Sequence, residues 1–322
     1  MTGTSRTSQT CWCGSALRPT RVRAETFALL RCSSCGCFRI DPPPITSDDQ
    51  SGDFYTAYYA MRQLTRREGT TGGAGQHSRY WRVVEQVPTL RVPVRTVIDF
   101  GSGEGRLCYE LSEAGWHDVV GVDISRARVA RARGLYPGIR FYDRPMDQTD
   151  LPRSAADLCV MDNVIEHLTE PQVALEQIRN YLKPFGKIVV ITPNMESGHF
   201  RLLGRRWTPE LAPHAHVFLF TAASLSRALA NAGFVVETVS AFHDDPYPIR
   251  DWTRRLFSGD VKGALWRAHQ ELGRLYGRVI GSGSMLFAVA QVPARNPARE
   301  GHPWESPTVA AASATASRGA RC

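Results

Sequence analysis

Between residues 95 and 291, short apolar runs alternate with segments in which apolar residues recur at helical spacing. The apolar runs are rich in β-branched and aromatic residues and are bounded by Gly, Pro or Asp, which predicts strands. Seven strands are predicted, over residues 96–100, 119–123, 139–142, 156–161, 187–191, 234–239 and 285–290. Helical patterns cover residues 106–114, 125–134 (with Ser125 as its N-cap), 171–182 and 222–232. Because repeated strand–helix units require right-handed crossovers, this pattern predicts an α/β fold with a parallel sheet and helices on both faces.

The rest of the chain divides into segments of different composition. The N-terminal segment holds five of the eight cysteines and ends at a run of three prolines. We therefore predict a cysteine module over 1–45, an aromatic, helical connecting segment over 46–94, the main domain over 95–291 and a disordered tail over 292–322. Inside the main domain, residues 192–220 predict a long loop and residues 251–279 an amphipathic helical insertion that forms a lid.

Composition and charge exclude several classes of protein. No apolar run approaches the roughly 20 residues that a membrane span needs, and no export signal is evident, so we expect a cytoplasmic protein without membrane contact. The formal net charge is +8, but residues 1–40 hold +5 of it and residues 292–322 hold +2. Because a nucleic-acid binder concentrates its cations on the folded body, this distribution disfavours a nucleic-acid partner.

The most specific pattern is a glycine-rich turn after the first predicted strand. Residues 98–105 read Ile-Asp-Phe-Gly-Ser-Gly-Glu-Gly, and Asp123 ends the next strand, 18 residues past Gly105. Ligands of open α/β sheets bind at the carboxyl ends of the strands, where glycines let the backbone approach them. A carboxylate at the end of the second strand can accept both hydroxyls of an adenosine ribose. The sequence therefore predicts a nucleotide site.

The spacing of the glycines indicates which kind of nucleotide the site would bind. Arg106 stands where the dinucleotide fingerprint Gly-x-Gly-x-x-Gly needs its last glycine, and no phosphate-binding P-loop motif occurs. The turn is instead preceded by an acid, Asp99, which suits a cationic ammonium group. A ligand that combines ribose, adenine and an amino-acid zwitterion fits this pattern, and S-adenosylmethionine is such a ligand.

With these motifs, residues 95–291 resemble a class I S-adenosylmethionine-dependent methyltransferase of the small-molecule and sugar-modifying type. Further matches lie at 121–125, 156–168, 182–187 and 192–194. The resemblance implies a Rossmann-like seven-stranded sheet in which strand 285–290 is antiparallel and inserted beside the sixth. It also implies the residues that bind the cofactor: Asp99, Phe100, Gly101, Ser102, Gly103, Gly105, Asp123, Ile124, Asp147, Gln148, Asp162, Asn163 and Val164. Asp147 would meet the adenine amino group, with Asp143 as an alternative.

Methyl transfer needs alignment of the acceptor and removal of its proton, and histidine is the natural base near neutral pH. We expect His167, His214 and His216 near the carboxyl-end rim, each as a candidate base or as a packing residue. Glu166 is expected to play a structural role. A metal-assisted site would need oxygen ligands at the ends of the fourth and fifth strands, where Asp162 and Asn194 provide two and a third is not apparent.

The cysteines form a second candidate site. Cys11 and Cys13 form one pair, and Cys32 and Cys35 form another, with 18 residues between the two pairs. Paired cysteines at this separation, in a reducing compartment, suit a tetrahedral zinc site. The segment resembles the zinc-ribbon-like start of certain sugar and natural-product methyltransferases, although the first pair is one residue shorter and Cys37 can replace a neighbour. The alternative is a set of reduced thiols, and we expect Cys108 and Cys159 in the core.

Together these features predict transfer of a methyl group from S-adenosylmethionine to a small molecule, a glycan precursor or secondary metabolite, with oxygen as the favoured acceptor atom. The alternatives are C- or N-methylation of a nucleotide-linked sugar, an RNA methyltransferase, and a non-catalytic scaffold that binds S-adenosylmethionine. Base methylation is disfavoured, because residues 162–165 (Asp-Asn-Val-Ile) lack the prolines and the aromatic residue that hold a flipped base.

Overall fold

The computed structural model describes residues 10–44, 83, 96–204, 211–243 and 261–294. Nearly all of the predicted connecting segment, residues 251–260 of the predicted lid, and the tail beyond residue 294 lie outside the described residues. Among the helices of the described part, none has the length and apolar character to cross a membrane.

Eleven strands and six α-helices build the described part of the molecule. The strands are β1 (Leu17–Arg23), β2 (Ala28–Cys32), β3 (Phe38–Asp41), β4 (Thr96–Phe100), β5 (Asp118–Val122), β6 (Arg140–Tyr142), β7 (Ala156–Asp162), β8 (Leu182–Pro193), β9 (Phe218–Leu219), β10 (Val235–Phe242) and β11 (Met285–Gln291). The helices are α1 (Arg106–Glu113), α2 (Arg126–Leu135), α3 (Pro171–Tyr181), α4 (Gly198–Leu203), α5 (Ala222–Asn231) and α6 (Val261–Val279).

The large sheet has seven strands in the order β10-β11-β8-β7-β4-β5-β6. Strands β4 to β8 pair in parallel, whereas β11 pairs antiparallel with both of its neighbours, β8 and β10. The predicted fold class, including the inserted antiparallel strand, is confirmed. The strand order changes direction at β4, so the connections after β4 and β7 diverge. Open α/β sheets bind their ligands at the carboxyl ends of the strands at such a point.

The core lies on both faces of this sheet, because the inner strands are apolar at successive positions. In β4, Ile98 and Phe100 pack with one group of buried residues, while Val97 packs with the other. Helices α3 and α5 cover the first face, and α1 and α2 cover the second. Strands that are buried on both sides read as continuous apolar runs, and this is the pattern that predicted them.

The cysteine module forms a second, antiparallel sheet in the order β1-β2-β3-β9. Its fourth strand comes from the main domain: Phe38 pairs with Leu219, and Arg39 pairs with Phe218. The predicted long loop 192–220 is therefore wrong in part. It begins inside β8 and contains both α4 and β9, since the edge of β3 gives a two-residue strand a partner.

Several boundaries differ from the predicted ones. Strand β8 starts five residues earlier than predicted, and Val292 donates a backbone hydrogen bond to Gly186 in this added part. Ser125 occupies the N-cap position of α2, as predicted, but its side chain makes no capping hydrogen bond. The side chain of Asp123 takes over part of that role, because its Oδ1 accepts the backbone N–H of Ser125 at 2.8 Å.

Candidate active site

The turn between β4 and α1 is built on glycines in the left-handed region. Gly101, Gly103 and Gly105 have φ angles of 79°, 57° and 79°. A Cβ on Gly101 would lie 2.2 Å from Cγ2 of Val164, and one on Gly105 would lie 2.5 Å from Cζ of Phe141. Side chains are therefore excluded by backbone conformation and by space. Gly101 itself is exposed, so the turn presents bare backbone to the cleft.

Asp123 fastens this turn to the end of β5. Its Oδ2 accepts the backbone N–H of Gly103 at 2.8 Å, and its Oδ1 accepts that of Ser125, also at 2.8 Å. The carboxylate is 7% exposed. Because each carboxylate oxygen can accept two hydrogen bonds, one acceptor position remains on each oxygen for a ligand hydroxyl.

Arg128 is a residue of this site that the sequence analysis missed. Its Nη1 lies 3.8 Å from Oδ2 of Asp123, and its Nη2 lies 2.0 Å from the position of a Cβ on Gly103. The guanidinium thus covers the middle of the turn. A cation in the first turn of a helix is unfavourable with the helix dipole, and this signal could have indicated that Arg128 serves a nearby acid.

Asp99 is the most deeply buried acid of the site. It is 2% exposed, and the thiol of Cys108 donates to its Oδ2 at 3.5 Å. Burial, together with the negative charge of Asp162, raises the pKa of Asp99 to about 8. The carboxyl group is therefore protonated at neutral pH unless a cation approaches it.

The remaining predicted cofactor residues fall into three environments. Phe100 is 1% exposed and packs against the ring of Tyr181, so its side chain belongs to the core. Ser102 is buried, Ile124 is exposed, and Asp147 and Gln148 lie exposed on the 3-10 turn Met146–Gln148. The alternative to Asp147, Asp143, forms an ion pair with Arg133 at 3.1 Å.

The end of β7 forms the opposite wall of the turn. Asp162, Asn163 and Val164 are half-buried there, and Asn163 adopts a positive φ of 52°. Its side-chain amide donates to Oδ1 of Asp162 at 2.9 Å, while its backbone N–H donates to Ile191 of β8. This bend directs Val164 toward Gly101.

Two of the three predicted histidines lie together at this rim. The rings of His167 and His216 have their centroids 4.7 Å apart, in an edge-to-face arrangement. The ligand atoms of Glu166, His167 and His216 all lie within 4.8 Å of one another. His214 is exposed and lies outside this group. A further contact was missed from the sequence: Thr192 Oγ1 donates to Oε2 of the fully buried Glu166 at 2.9 Å.

The four cysteines predicted as a metal site also come together. The sulfur atoms of Cys11, Cys13, Cys32 and Cys35 lie within 4.8 Å of one another. Sγ of Cys32 accepts backbone N–H groups from Ser34 and Cys35 at 3.4 Å each. The fifth thiol, Cys37, does not replace a neighbour: it donates to the carbonyl oxygen of Leu219 at 3.2 Å. Cys108 and Cys159 are fully buried in the core, as predicted.

The sheet order, the antiparallel β11, and a glycine turn tied to an acid at the end of β5 define the class I S-adenosylmethionine-dependent methyltransferase architecture. The chain belongs to the methyltransferase domain family, whose model matches residues 66–239, more than half of the chain.

Related proteins agree with this assignment. A Mycolicibacterium smegmatis protein named "Probable S-adenosylmethionine-dependent methyltransferase" is 32% identical over 180 residues, which are 55% of this chain and 67% of that protein. A ubiquinone biosynthesis O-methyltransferase of Xylella fastidiosa strain 9a5c is 30% identical over 169 residues, 49% of this chain and 68% of that protein. The chain is thus an S-adenosylmethionine-dependent methyltransferase.

Two solved structures share the fold. One belongs to the complex between the Haloferax volcanii Trm112 methyltransferase activator and a methyltransferase, with a TM-score of 0.52, 21% identity, and coverage of 67% of this chain and 91% of that one. The other is the cyclase SpnF, with a TM-score of 0.53, 19% identity, and coverage of 79% and 99%. Since one neighbour is named a cyclase, the fold alone does not determine the reaction.

Proposed function

We propose that this enzyme transfers a methyl group to a hydroxyl oxygen of a small-molecule acceptor. The observation that carries the proposal is the pair of adjacent imidazoles, His167 and His216, at the carboxyl end of β7, beside the glycine turn. A hydroxyl becomes a good nucleophile only as its proton leaves, and an imidazole can accept that proton near neutral pH. The relative from Xylella fastidiosa, which is named an O-methyltransferase, supports the same reaction.

The residues of the cleft fit S-adenosylmethionine. The exposed Gly101 presents backbone without a side chain to a ligand, and Asp123 keeps an acceptor position on each oxygen for the ribose. We assign Asp99 to the ammonium group and Asp147 to the adenine. The backbone of residues 100–103, with Ile124, Gln148 and residues 162–164, would line the remaining cleft. When bound, the sulfonium supplies an electrophilic methyl group.

His167 is positioned to act as the base. Its Nδ1 lies 3.0 Å from the carbonyl oxygen of Ala215, which can only accept, so that Nδ1 carries the proton. Nε2 is then left as the basic nitrogen, and His167 is half-buried while His216 is 6% exposed. His214 lies on the exposed side of the same loop, outside this pair.

The cysteine module is proposed to hold a structural zinc ion through Cys11, Cys13, Cys32 and Cys35. Four sulfurs within 4.8 Å of one another match the closed ligand set of structural zinc sites. Without a cation, the hydrogen bond with Cys11 and burial raise the pKa of Cys35 well above its usual value. The zinc would fix the β1-β2-β3 sheet, on which β9 and the loop that carries His216 rest.

The test combines cofactor binding with product analysis. The full-length chain is titrated calorimetrically with S-adenosylmethionine and S-adenosylhomocysteine, and then incubated with radiolabelled S-adenosylmethionine and a panel of phenols, sugar nucleotides and transfer RNA. The expected product is an O-methylated small molecule, and Asp123→Ala should reduce the rate of its formation at limiting S-adenosylmethionine. Asp150→Ala is the matched control, because Asp150 pairs with the exposed Arg144. Label on carbon, nitrogen or RNA, or binding without turnover on any acceptor, would overturn the proposal.

A further inference from the structure

We infer that Glu166, His167 and His216 form a binding site for a divalent transition-metal ion, which holds an acceptor that bears two neighbouring oxygen atoms. The inference rests on the proposed O-methylation and specifies its substrate class. The ligand atoms of the three side chains lie within 4.8 Å of one another, as the ligands of a single ion must. They come from two segments: the 3-10 turn Ile165–His167 after β7, and the loop before β9.

Hydrogen bonds to backbone carbonyl oxygens hold these two segments together. The N–H of Val217 donates to the carbonyl oxygen of Glu166 at 2.7 Å, and Nδ1 of His167 lies 3.0 Å from the carbonyl oxygen of Ala215. The two contacts lie on either side of His216. They place its imidazole against the 3-10 turn whether or not an ion is bound, so the group is organised in advance.

Two of the three ligands, His167 and Glu166, have the outer contact that metal ligands characteristically have. A histidine that binds a metal usually donates its other ring N–H to a carbonyl or a carboxylate, which fixes its tautomer. His167 does so through Nδ1 and thereby directs the lone pair of Nε2 away from Ala215. The carboxylate of Glu166 is oriented by the hydroxyl of Thr192, at 2.9 Å from Oε2.

The donor set determines the class of ion. Two imidazole nitrogens and one carboxylate suit iron, manganese, cobalt or zinc, whereas magnesium and calcium take oxygen ligands. Three protein ligands leave coordination positions open, as in catalytic sites. The set thus differs from the four cysteines of the N-terminal module, which offer a closed set of thiolates and to which we assign zinc.

The position of the group specifies what the ion does. Val164, which contacts Gly101, is two residues from Glu166, so the cluster borders the glycine turn. An ion there can bind both oxygens of a vicinal dihydroxy or hydroxycarbonyl acceptor and lower the pKa of the hydroxyl. The hydroxyl proton passes to water, the oxygen forms a bond with the methyl carbon, and the carbon–sulfur bond breaks with its electron pair on sulfur. With the ion bound, His167 and His216 are its ligands, and the ion replaces the imidazole base in activating the hydroxyl.

Cobalt(II) is the probe for this site. The full-length chain is loaded with zinc, dialysed briefly against a chelator to empty open sites, and titrated with cobalt(II) while visible absorption is recorded. We expect one saturable site per chain with ligand-field bands and without the sulfur-to-metal charge-transfer bands of a thiolate site. His216→Asn and His167→Asn should abolish these bands. Thr192→Val should weaken binding at least about tenfold, since it removes only an outer contact. His117 is an exposed histidine that directly precedes β5, at the amino ends of the parallel strands, so His117→Asn should leave the titration unchanged.

Several outcomes would overturn the inference. The first is that folded wild type shows no saturable cobalt site with nitrogen and oxygen ligands. The second is that Thr192→Val binds cobalt as tightly as wild type. The third is that chelator-treated protein, with no ion at this site, still methylates oxygen at the full rate. Circular dichroism and titration with S-adenosylmethionine identify variants that have not folded, and Thr192→Val remains informative if the histidine variants fail. Failure of the proposed function is distinct: a methylated nitrogen or carbon would refute O-methylation although cobalt binds as expected.

Discussion

Asp123 and Gly103 are joined by a hydrogen bond of 2.8 Å between a carboxylate oxygen and a backbone N–H, although they lie 20 residues apart. The bond ties the glycine turn, which has three residues at positive φ, to the end of the neighbouring strand. An anionic acceptor makes such a bond stronger than a neutral one. A single side chain therefore both shapes the turn and provides the acceptor that we assign to the ribose.

Replacement of Asp123 should therefore reduce cofactor affinity more than the loss of one contact would. We expect Asp123→Ala to weaken binding of S-adenosylmethionine by at least about 1 kcal/mol, measured by calorimetry. Asp123→Asn keeps the shape but loses the charge and should fall between wild type and Asp123→Ala. Asp150→Ala serves as the surface control. An unchanged dissociation constant in Asp123→Ala would show that the nucleoside binds elsewhere.

The glycine turn provides a prediction with an internal rescue. Gly101→Ala places a methyl group 2.2 Å from Cγ2 of Val164 and also forces alanine to a φ of 79°. The left-handed backbone conformation alone would cost alanine about 1–2 kcal/mol of folding free energy. The single variant should therefore lose most of its cofactor binding. The double variant with Val164→Ala should recover the part due to collision but not the part due to φ. Equal affinities in the single and double variants would show that the collision contributes nothing.

Because of Asp99, the free energy of unfolding should fall as the pH rises, whereas the affinity for S-adenosylmethionine should increase. Its folded-state pKa of about 8 lies above the ordinary aspartate value of 3.8, so the folded protein holds a proton that the unfolded chain releases. This contribution to stability is complete below about 3.8 and is lost as the pH rises through about 8. Urea unfolding between pH 6 and pH 9 should show this loss in wild type but not in Asp99→Asn.

Binding of a cation beside Asp99 favours the carboxylate, so the affinity for S-adenosylmethionine should rise over the same range of pH. Calorimetry of wild type and Asp99→Asn at pH 6.5 and pH 8.5 checks this expectation. A parallel response in the two proteins would show that Asp99 does not face the ammonium group.

The fold could be predicted because the information that specifies it is local. Each inner strand is a run of apolar β-branched residues, and the glycines and Asp123 stand at the ends of such runs. The contacts of Arg128 with Asp123, and of Thr192 with Glu166, depend on tertiary packing of separate elements. No local pattern reports them, although the position of Arg128 in the first turn of a helix was a usable signal.

The same reasoning explains the errors in the region 192–220. Strand β9 has only two residues, Phe218 and Leu219, and it exists because β3 supplies hydrogen-bond partners from about 180 residues away. The pattern His-Ala-His at 214–216 does not reveal which imidazole turns inward. The contact of Val217 with Glu166 decides it, because it places His216 inside and leaves His214 exposed.

The cysteine module gives the last prediction, with a matched pair of substitutions. After a chelator has emptied the open site at Glu166, His167 and His216, metal analysis of the full-length chain should find one zinc ion that Cys32→Ser removes and Cys37→Ser retains. Both cysteines are buried, but Cys37 donates to the carbonyl oxygen of Leu219 at 3.2 Å, a bond that a serine hydroxyl can replace. Because β3 supports β9 and the loop with His216, Cys32→Ser should reduce methyl transfer while its affinity for S-adenosylmethionine stays near that of wild type. Zinc retained in Cys32→Ser, or lost equally in both variants, would refute the four-cysteine site.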